Sequence, residues 1–218
     1  MTRPLMLDLF CGAGGAAMGY YRAGFDVVGI DRKPFKRYPF PMVVANALRP
    51  PFDLSRFDAI HASPPCQRYS VQTKAHRKEA HPDLVEATRA MLVASGKPYI
   101  IENVMGAPLE GAALLCGSMF GLLVQRHRLF ETPFVMLAPP CEHGEFKGDY
   151  PCGRSNGTAR AGERSRVVHV YGQGCSRGDR GLWQRAMGID WMTMQEMSQA
   201  IPPAYTEYIG KRLLEIIA

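Results

Sequence analysis

Apolar positions in the first hundred residues fall into short runs, each bounded by glycine, proline or a charged residue. Leu5 to Phe10 predicts a short buried strand; the turn Cys11-Gly-Ala-Gly-Gly follows, and Ala16 to Ala23 has helical spacing closed by Gly24. Phe25 to Ile30 predicts a second strand ending in Asp31. Met42 to Ala45 and Phe57 to Ala62 predict two more, the latter running into Ser63-Pro-Pro-Cys-Gln. Asp83 to Ala94 has helical spacing with Pro82 at its start, and Pro98 to Ile101 predicts a strand that terminates in Glu102-Asn-Val. Strand, glycine turn, helix, strand, acid is the opening of a doubly wound α/β sheet, where ligands bind beyond the carboxyl ends of the strands.

From Glu131 to Trp183 the pattern changes. Gly, Pro, Arg and Ser dominate, and only Val167 to Tyr171 predicts a strand. An unstructured connection of that length is unusual, so the segment predicts a small inserted lobe or long loops. Helical spacing returns from Trp191, with Pro202-Pro203 at a helix start and an amphipathic stretch from Tyr205 to Ile217. The expected organisation is a catalytic domain over 1–130, a lobe over 131–183 and a helical segment over 184–218 that returns to the domain.

Composition narrows the class. A hydrophobic fraction of 46% with 21% charged residues fits a globular protein, and no apolar run reaches the length of a membrane span. No secretory leader is visible, so a cytoplasmic location is expected, with Cys11, Cys66, Cys116, Cys141, Cys152 and Cys175 held as thiols. The net charge of +6 points toward a polyanionic partner. Arg32, Lys33, Lys36 and Arg37 form one basic cluster and Arg68, Lys74, Arg77 and Lys78 a second. Arg154, Arg160, Arg164, Arg166, Arg177 and Arg180 lie in the glycine-rich stretch. Each cluster alone also fits solvated loop charge.

The chemistry-bearing residues sit at predicted strand ends. Gly12, Gly14 and Gly15 are too closely spaced for a dinucleotide fingerprint, and no Walker lysine follows them. They still let backbone approach an adenosine-bearing ligand, and Asp31 is placed to accept hydrogen bonds from ribose hydroxyls. The same residues also fit a plain tight turn with Asp31 as a helix cap. Two prolines fix the backbone ahead of Cys66, and the basic segment after it is expected to favour the thiolate. Glu102 supplies a carboxyl whose pKa an enclosed site would raise. Cys141, His143, Cys152, His169 and Cys175 suggest zinc, but no paired C-x-x-C is present. They read as ordinary loop residues, and no metal is expected.

Five segments occur in one order: Asp8-Leu-Phe-Cys-Gly-Ala-Gly-Gly, Pro64-Pro-Cys-Gln, Glu102-Asn-Val, Gln125-Arg-His-Arg-Leu-Phe and Gln199-Ala-Ile-Pro-Pro. Together they resemble the cytosine-C5 DNA methyltransferase family. The resemblance implies a Rossmann-like sheet of the class I S-adenosylmethionine-dependent methyltransferases with a small inserted target-recognition lobe. It also implies a monomer that binds S-adenosylmethionine and double-stranded DNA. Phe10, Gly12, Gly14, Gly15, Asp31, Arg32, Asn46 and Pro64 would hold the donor, with Asn46 where the family commonly has Asp. Cys66 would be the nucleophile, Glu102 would bind the base at N3, and Arg126 and Arg128 would contact the base and nearby backbone. The family spacing Gln-x-Arg-x-Arg is broken, since Val124 holds the Gln position. The late Gly-Asn pair is Ser198-Gln199. Gln67 to His81 is expected to close over a base flipped from its duplex. The alternatives are a tRNA cytosine methyltransferase of the same superfamily and a catalytically silent nucleic-acid-binding relative; the presence of both Cys66 and Glu102 argues against the second.

Overall fold

The computed structural model describes residues 2–71, 73–141, 143, 168, 170 and 179–217. Strands β1 (Leu5–Leu9), β2 (Asp26–Asp31), β3 (Met42–Val44), β4 (Ala59–Ala62), β5 (Tyr99–Asn103), β6 (Ala113–Leu115) and β7 (Arg128–Glu131) form one sheet, in the order β3-β2-β1-β4-β5-β7-β6. β1 pairs in parallel with β2 and β4, and β5 continues the parallel run beyond β4. β7 is antiparallel to both of its neighbours. This is the Rossmann-like sheet that the sequence pattern and the resemblance imply, with an antiparallel β6–β7 hairpin at its edge that the pattern does not predict.

Period-two alternation divides the strand residues between two cores. Met6, Ala59 and Ile100 pack with Tyr20 and Phe25 under helices α1 (Gly15–Ala23) and α6 (Pro203–Ile217). Leu7, Leu9, Ile60, Ala62 and Ile101 pack with Leu92 of α3 (Val85–Ser95) on the other face. Both faces are covered, which is why these strands read as largely apolar runs, interrupted at Asp8 and His61. α1 and α6 approach closely at Gly19, where an added Cβ would lie 2.0 Å from Thr206 Oγ1. Thr206 in turn donates to the Ala16 carbonyl at 2.8 Å.

The same periodicity places polar groups on the α1/α6 face. Asp8 and His61 lie opposite each other in the β1–β4 register, and Glu102 follows Ile100 by one pleat on β5. The chain runs outward from β1 to β3 and then returns to β4 on the far side of β1. The crevice between the carboxyl ends of β1 and β4 is therefore the switch point where such sheets bind ligands.

Two kinds of element lay outside the sequence pattern, the four-residue α2 (Ala75–Lys78) and strands β6 and β7, whereas α5 (Met194–Gln199) falls in the stretch where helical spacing returns. A fourth helix, α4 (Arg180–Met187), begins inside the segment assigned to the inserted lobe. Buried Trp183, Val168 and Val170 pack with Met187, Ile189, Met192 and Met197 in a third core. The lobe's expected start at Glu131 is the buried last residue of β7, whose carboxylate takes Arg89 of α3 in two 2.8 Å bonds. Most of the expected lobe, with all its arginines except Arg180, lies outside the described residues, as do Val167, Tyr171, Cys152, His169 and Cys175. No described helix is long and apolar enough to cross a membrane.

Candidate active site

β1 ends at Leu9, and Phe10 turns the chain with φ of 58°, the only positive value at a non-glycine residue among those described. Such a backbone is costly for a bulky side chain and marks a place where the surrounding structure dictates geometry. Gly12, at φ of 51°, donates its N–H to Asp31 Oδ2 at 3.2 Å, and Lys33 N–H donates to Oδ1 at 3.2 Å. Asp31 thus ties the glycine turn to the end of β2. The ligand reading and the tight-turn reading of Asp31 describe the same carboxylate.

Beyond the β1 and β4 ends lies a cleft of about 1280 Å³. That exceeds the usual range for one small-molecule site and gives room for two ligands side by side. Phe10, Gly12, Gly15, Asp31, Arg32, Asn46 and Pro64 line it together with Cys66, Glu102 and Arg128. The structure brings all of these expected residues to one wall system. Gly14 is different, because it backs onto Tyr38 and Pro39, and a Cβ there would lie 2.9 Å from the Pro39 ring. Its left-handed φ of 86° starts α1. Asn46 uses Oδ1 to accept the Leu48 N–H at 3.0 Å, which closes its own turn at the cleft edge.

Cys66 follows β4 on a loop that Asn103 fastens to β5. The Asn103 side-chain amide donates to the Pro64 carbonyl at 3.0 Å, and its oxygen accepts from Val104 N–H at 2.9 Å. Glu102 is buried and meets Arg128 Nε at 3.0 Å. Burial raises the Glu102 pKa, while Arg128, a hydrogen bond with Ser63, and Arg126 pull it back. Behind Ser63 stands His61, whose Nε2 is 2.9 Å from Ser63 Oγ and whose Nδ1 is 2.9 Å from the Tyr20 hydroxyl. Burial holds the His61 pKa down at about 3, so the ring is neutral. When Ser63 donates to an ionised Glu102, its oxygen must accept from His61, and Tyr20 must then donate to Nδ1. The chain Tyr20, His61, Ser63 orients the carboxyl from below. None of its three members was assigned a role from sequence. The available signal was parity, since His61 shares the face of Asp8 and Glu102.

Two expectations need correction. The Cys66 thiol is pushed up rather than down, by burial first and by the Glu102 charge second, with Arg128 and Arg126 opposing. The basic segment after it does not reach the sulfur. Arg68 pairs instead with Asp83 at 3.8 Å and the His81 carbonyl, and α2 holds its charges in solvent. Arg126, expected on the base, donates to the Val170 and Ser198 carbonyls at 2.7 and 2.6 Å. It acts on Cys66 and Glu102 through its charge. Burial and Arg128 lower its own pKa to about 9. Arg126 thereby binds the strap before β7 to the end of α5, which is where the Ser198-Gln199 pair docks.

The model of the C-5 cytosine-specific DNA methylase family matches residues 5–108, the part that carries the glycine turn, Cys66 and Glu102. The type II methyltransferase M.XorII of Xanthomonas oryzae pv. oryzae is 31% identical over 124 residues, covering 49% of this chain and 29% of that protein. The chain thus matches less than a third of that relative's length. Among solved structures, the Dnmt2 methyltransferase of S. pombe is 13% identical with a TM-score of 0.62, covering 99% of each chain. The Entamoeba histolytica methyltransferase EhMeth is 11% identical with a TM-score of 0.61 over all of both chains. These two likenesses are of fold. Residues 5–108, just under half of the chain, are thus similar to the C-5 cytosine-specific DNA methylase family.

Proposed function

We propose that the protein methylates C5 of cytosine in double-stranded DNA, with S-adenosylmethionine as donor and Cys66 as nucleophile. One observation carries the reading: Cys66, Glu102 and Arg128 share a cleft with the Phe10 to Gly15 turn and Asp31 at the switch point of the sheet. The cleft fits the donor. Gly12 leaves its backbone open, since a Cβ there would meet nothing within 4 Å, and the Asp31 carboxylate borders the space. Phe10, Gly12, Gly15, Asp31, Arg32, Asn46 and Pro64 would hold it. Bound there, S-adenosylmethionine supplies an electrophilic methyl group.

The chain's own residues do the rest. A cytosine flipped from the duplex presents N3 to Glu102 and C6 to Cys66. Glu102 in its protonated form, favoured by burial, donates to N3, and while it keeps that proton it carries no charge to oppose the Cys66 thiolate. Arg126 and Arg128 then favour the thiolate. Overall the S–H adds across the ring, sulfur to C6 and the proton by way of Glu102 to N3, which leaves an enamine with a nucleophilic C5. After C5 is methylated, loss of its proton lets the C6–S bond break and returns the N3 proton to Glu102. Arg128, 3.0 Å from Glu102, keeps the carboxyl aimed through the cycle. The segment 131–183 is the proposed target-recognition lobe, its arginines directed at phosphates, and Gln67 to His81 the loop that closes.

The test is a duplex with 5-fluorocytosine at the target position, with parallel RNA substrates and nucleoside mass spectrometry. With donor present, a denaturant-stable DNA adduct is expected and should map to Cys66, because fluorine cannot leave as a proton does. Cys66→Ser is expected to lose both adduct and turnover. An adduct on another cysteine, or methylation of RNA in place of DNA, refutes the reading.

A further inference from the structure

Away from the cleft, four side chains converge from three segments. Cys116 follows β6, His127 precedes β7, and Cys141 and His143 come after it. Their ligand atoms all lie within 4.8 Å of one another. His143 Nε2 is 2.9 Å from Cys141 Sγ, 3.2 Å from Cys116 Sγ and 3.2 Å from His127 Nε2, and His127 Nε2 is 3.4 Å from Cys141 Sγ. Hydrogen bonding does not account for this. A neutral imidazole nitrogen carries one proton or one lone pair, so a single Nε2 cannot satisfy three partners. The atoms instead surround a common point. A tetrahedral ion bound at zinc-like lengths needs nitrogen and sulfur ligands about 3.3–3.8 Å apart, close to the separations found.

We infer that Cys116, His127, Cys141 and His143 form a structural zinc site. Two thiolates and two imidazoles are the donor set that selects zinc, and four protein ligands leave no open position for catalysis. Outer groups are present too. The Ser118 hydroxyl lies 3.2 Å from Cys116 Sγ, placed to donate to a thiolate. Cys116 is fully buried and the others partly so, as expected of a closed site at the sheet edge. The set departs from the sequence reading in two respects. Cys141 and His143 are ligands rather than ordinary loop residues, and their partners are Cys116 and His127 rather than Cys152, His169 and Cys175.

The position gives the ion a task. His127 lies between Arg126, which clamps Val170 and Ser198, and Arg128, which meets Glu102. Fixing His127 to Cys116 holds the start of β7 against the end of β6. The same ion fixes the chain at Cys141 and His143, ahead of the arginine-bearing segment in sequence. Zinc therefore anchors both the strap behind the active site and the root of the proposed lobe.

Metal analysis of the intact protein, purified without chelator from zinc-supplemented cells, tests this directly. About one zinc per chain is expected, retained in Cys66→Ser, Cys152→Ser and Cys175→Ser but lost in Cys116→Ser and Cys141→Ser. Because these last variants can fail to fold, two readouts use the unaltered chain. Cobalt exchanged for zinc should give the visible bands and thiolate charge-transfer absorption of a tetrahedral sulfur and nitrogen site. Alkylation of Cys116 and Cys141 should be slow until a chelator is added. Protein free of zinc that takes up no cobalt, Cys141 alkylated equally fast with and without chelator, or zinc lost on substitution of Cys152 or Cys175 would overturn the assignment.

Discussion

Asp8 offers a measurement of how the sheet interior treats charge. It lies on β1 at 1% exposure, and the side-chain hydrogen bond it accepts comes from the Tyr38 hydroxyl at 3.3 Å. Burial, reinforced by the charge of Asp31, raises its pKa from 3.8 to about 8. Between those two values the folded protein keeps a proton that the unfolded chain has lost. The folded state binds more protons there, so stability falls as pH rises, by about 1.4 kcal/mol per pH unit at most. Across the whole window this amounts to on the order of 3 to 6 kcal/mol, a large share of a domain's stability. Asp8→Asn keeps the shape and an acceptor for Tyr38 but cannot ionise. Urea unfolding followed by the fluorescence of Trp183 and Trp191 at pH 5 and pH 8.5 should show the variant gaining on the parent by several kcal/mol at the higher pH. Other titrating groups remain in both proteins and cancel in the difference. Equal pH slopes for the two proteins would refute the reasoning.

The Arg89–Glu131 pair couples α3 to β7, and Glu131 also accepts the Glu110 N–H at 2.8 Å. Glu131→Ala should cost about 3 kcal/mol in chemical denaturation, because it takes the buried two-point partner from a guanidinium left with the exposed Glu86 and Glu110 and the Pro108 carbonyl; a loss under 1 kcal/mol would show that these partners and water suffice for Arg89. His61→Leu removes the group behind Ser63 and should lower kcat on the order of tenfold, about 1.4 kcal/mol, with KM for DNA little changed. A pure stability loss with kcat intact would remove His61 from the positioning role. Asp31→Ala should weaken donor binding by about 1 to 3 kcal/mol in calorimetry, and undiminished affinity would leave Asp31 only its turn.

The sheet was legible because a parallel strand covered on both faces is mostly apolar, and Leu5 to Phe10 and Phe57 to Ala62 read so despite Asp8, Asp58 and His61. Cys66 and Glu102 were legible because each follows such a run and sits beside residues of restricted backbone or fixed polarity. What escaped depended on distance along the chain. Arg126 finds Val170 and Ser198 44 and 72 residues away, and no local spacing announces that. Helix α4 escaped because Arg180 to Met187 adjoins a glycine- and arginine-rich stretch that conceals its short apolar face. Cys116 and His127 escaped as metal ligands for a related reason. The β6–β7 pairing brings them together, and neither strand was predicted.

The Cys66 thiol shows why nearness in sequence misled where chemistry was concerned. Arg68, Lys74, Arg77 and Lys78 suggested a stabilised thiolate, yet an exposed charge is screened within a few ångströms of water and contributes little to a group behind it. Burial and a carboxylate at close range govern the sulfur instead, and both favour the protonated form. Two arginines supplied by a strap some sixty residues on, at 126 and 128, are the groups that oppose them. The resting protein therefore holds a poorly nucleophilic thiol beside a carboxyl whose own proton burial favours. On the proposed reading, a base whose N3 accepts a hydrogen bond from the protonated Glu102 stabilises the neutral carboxyl and so keeps down the charge that disfavours the thiolate. Activation of the nucleophile then depends on the presence of its target.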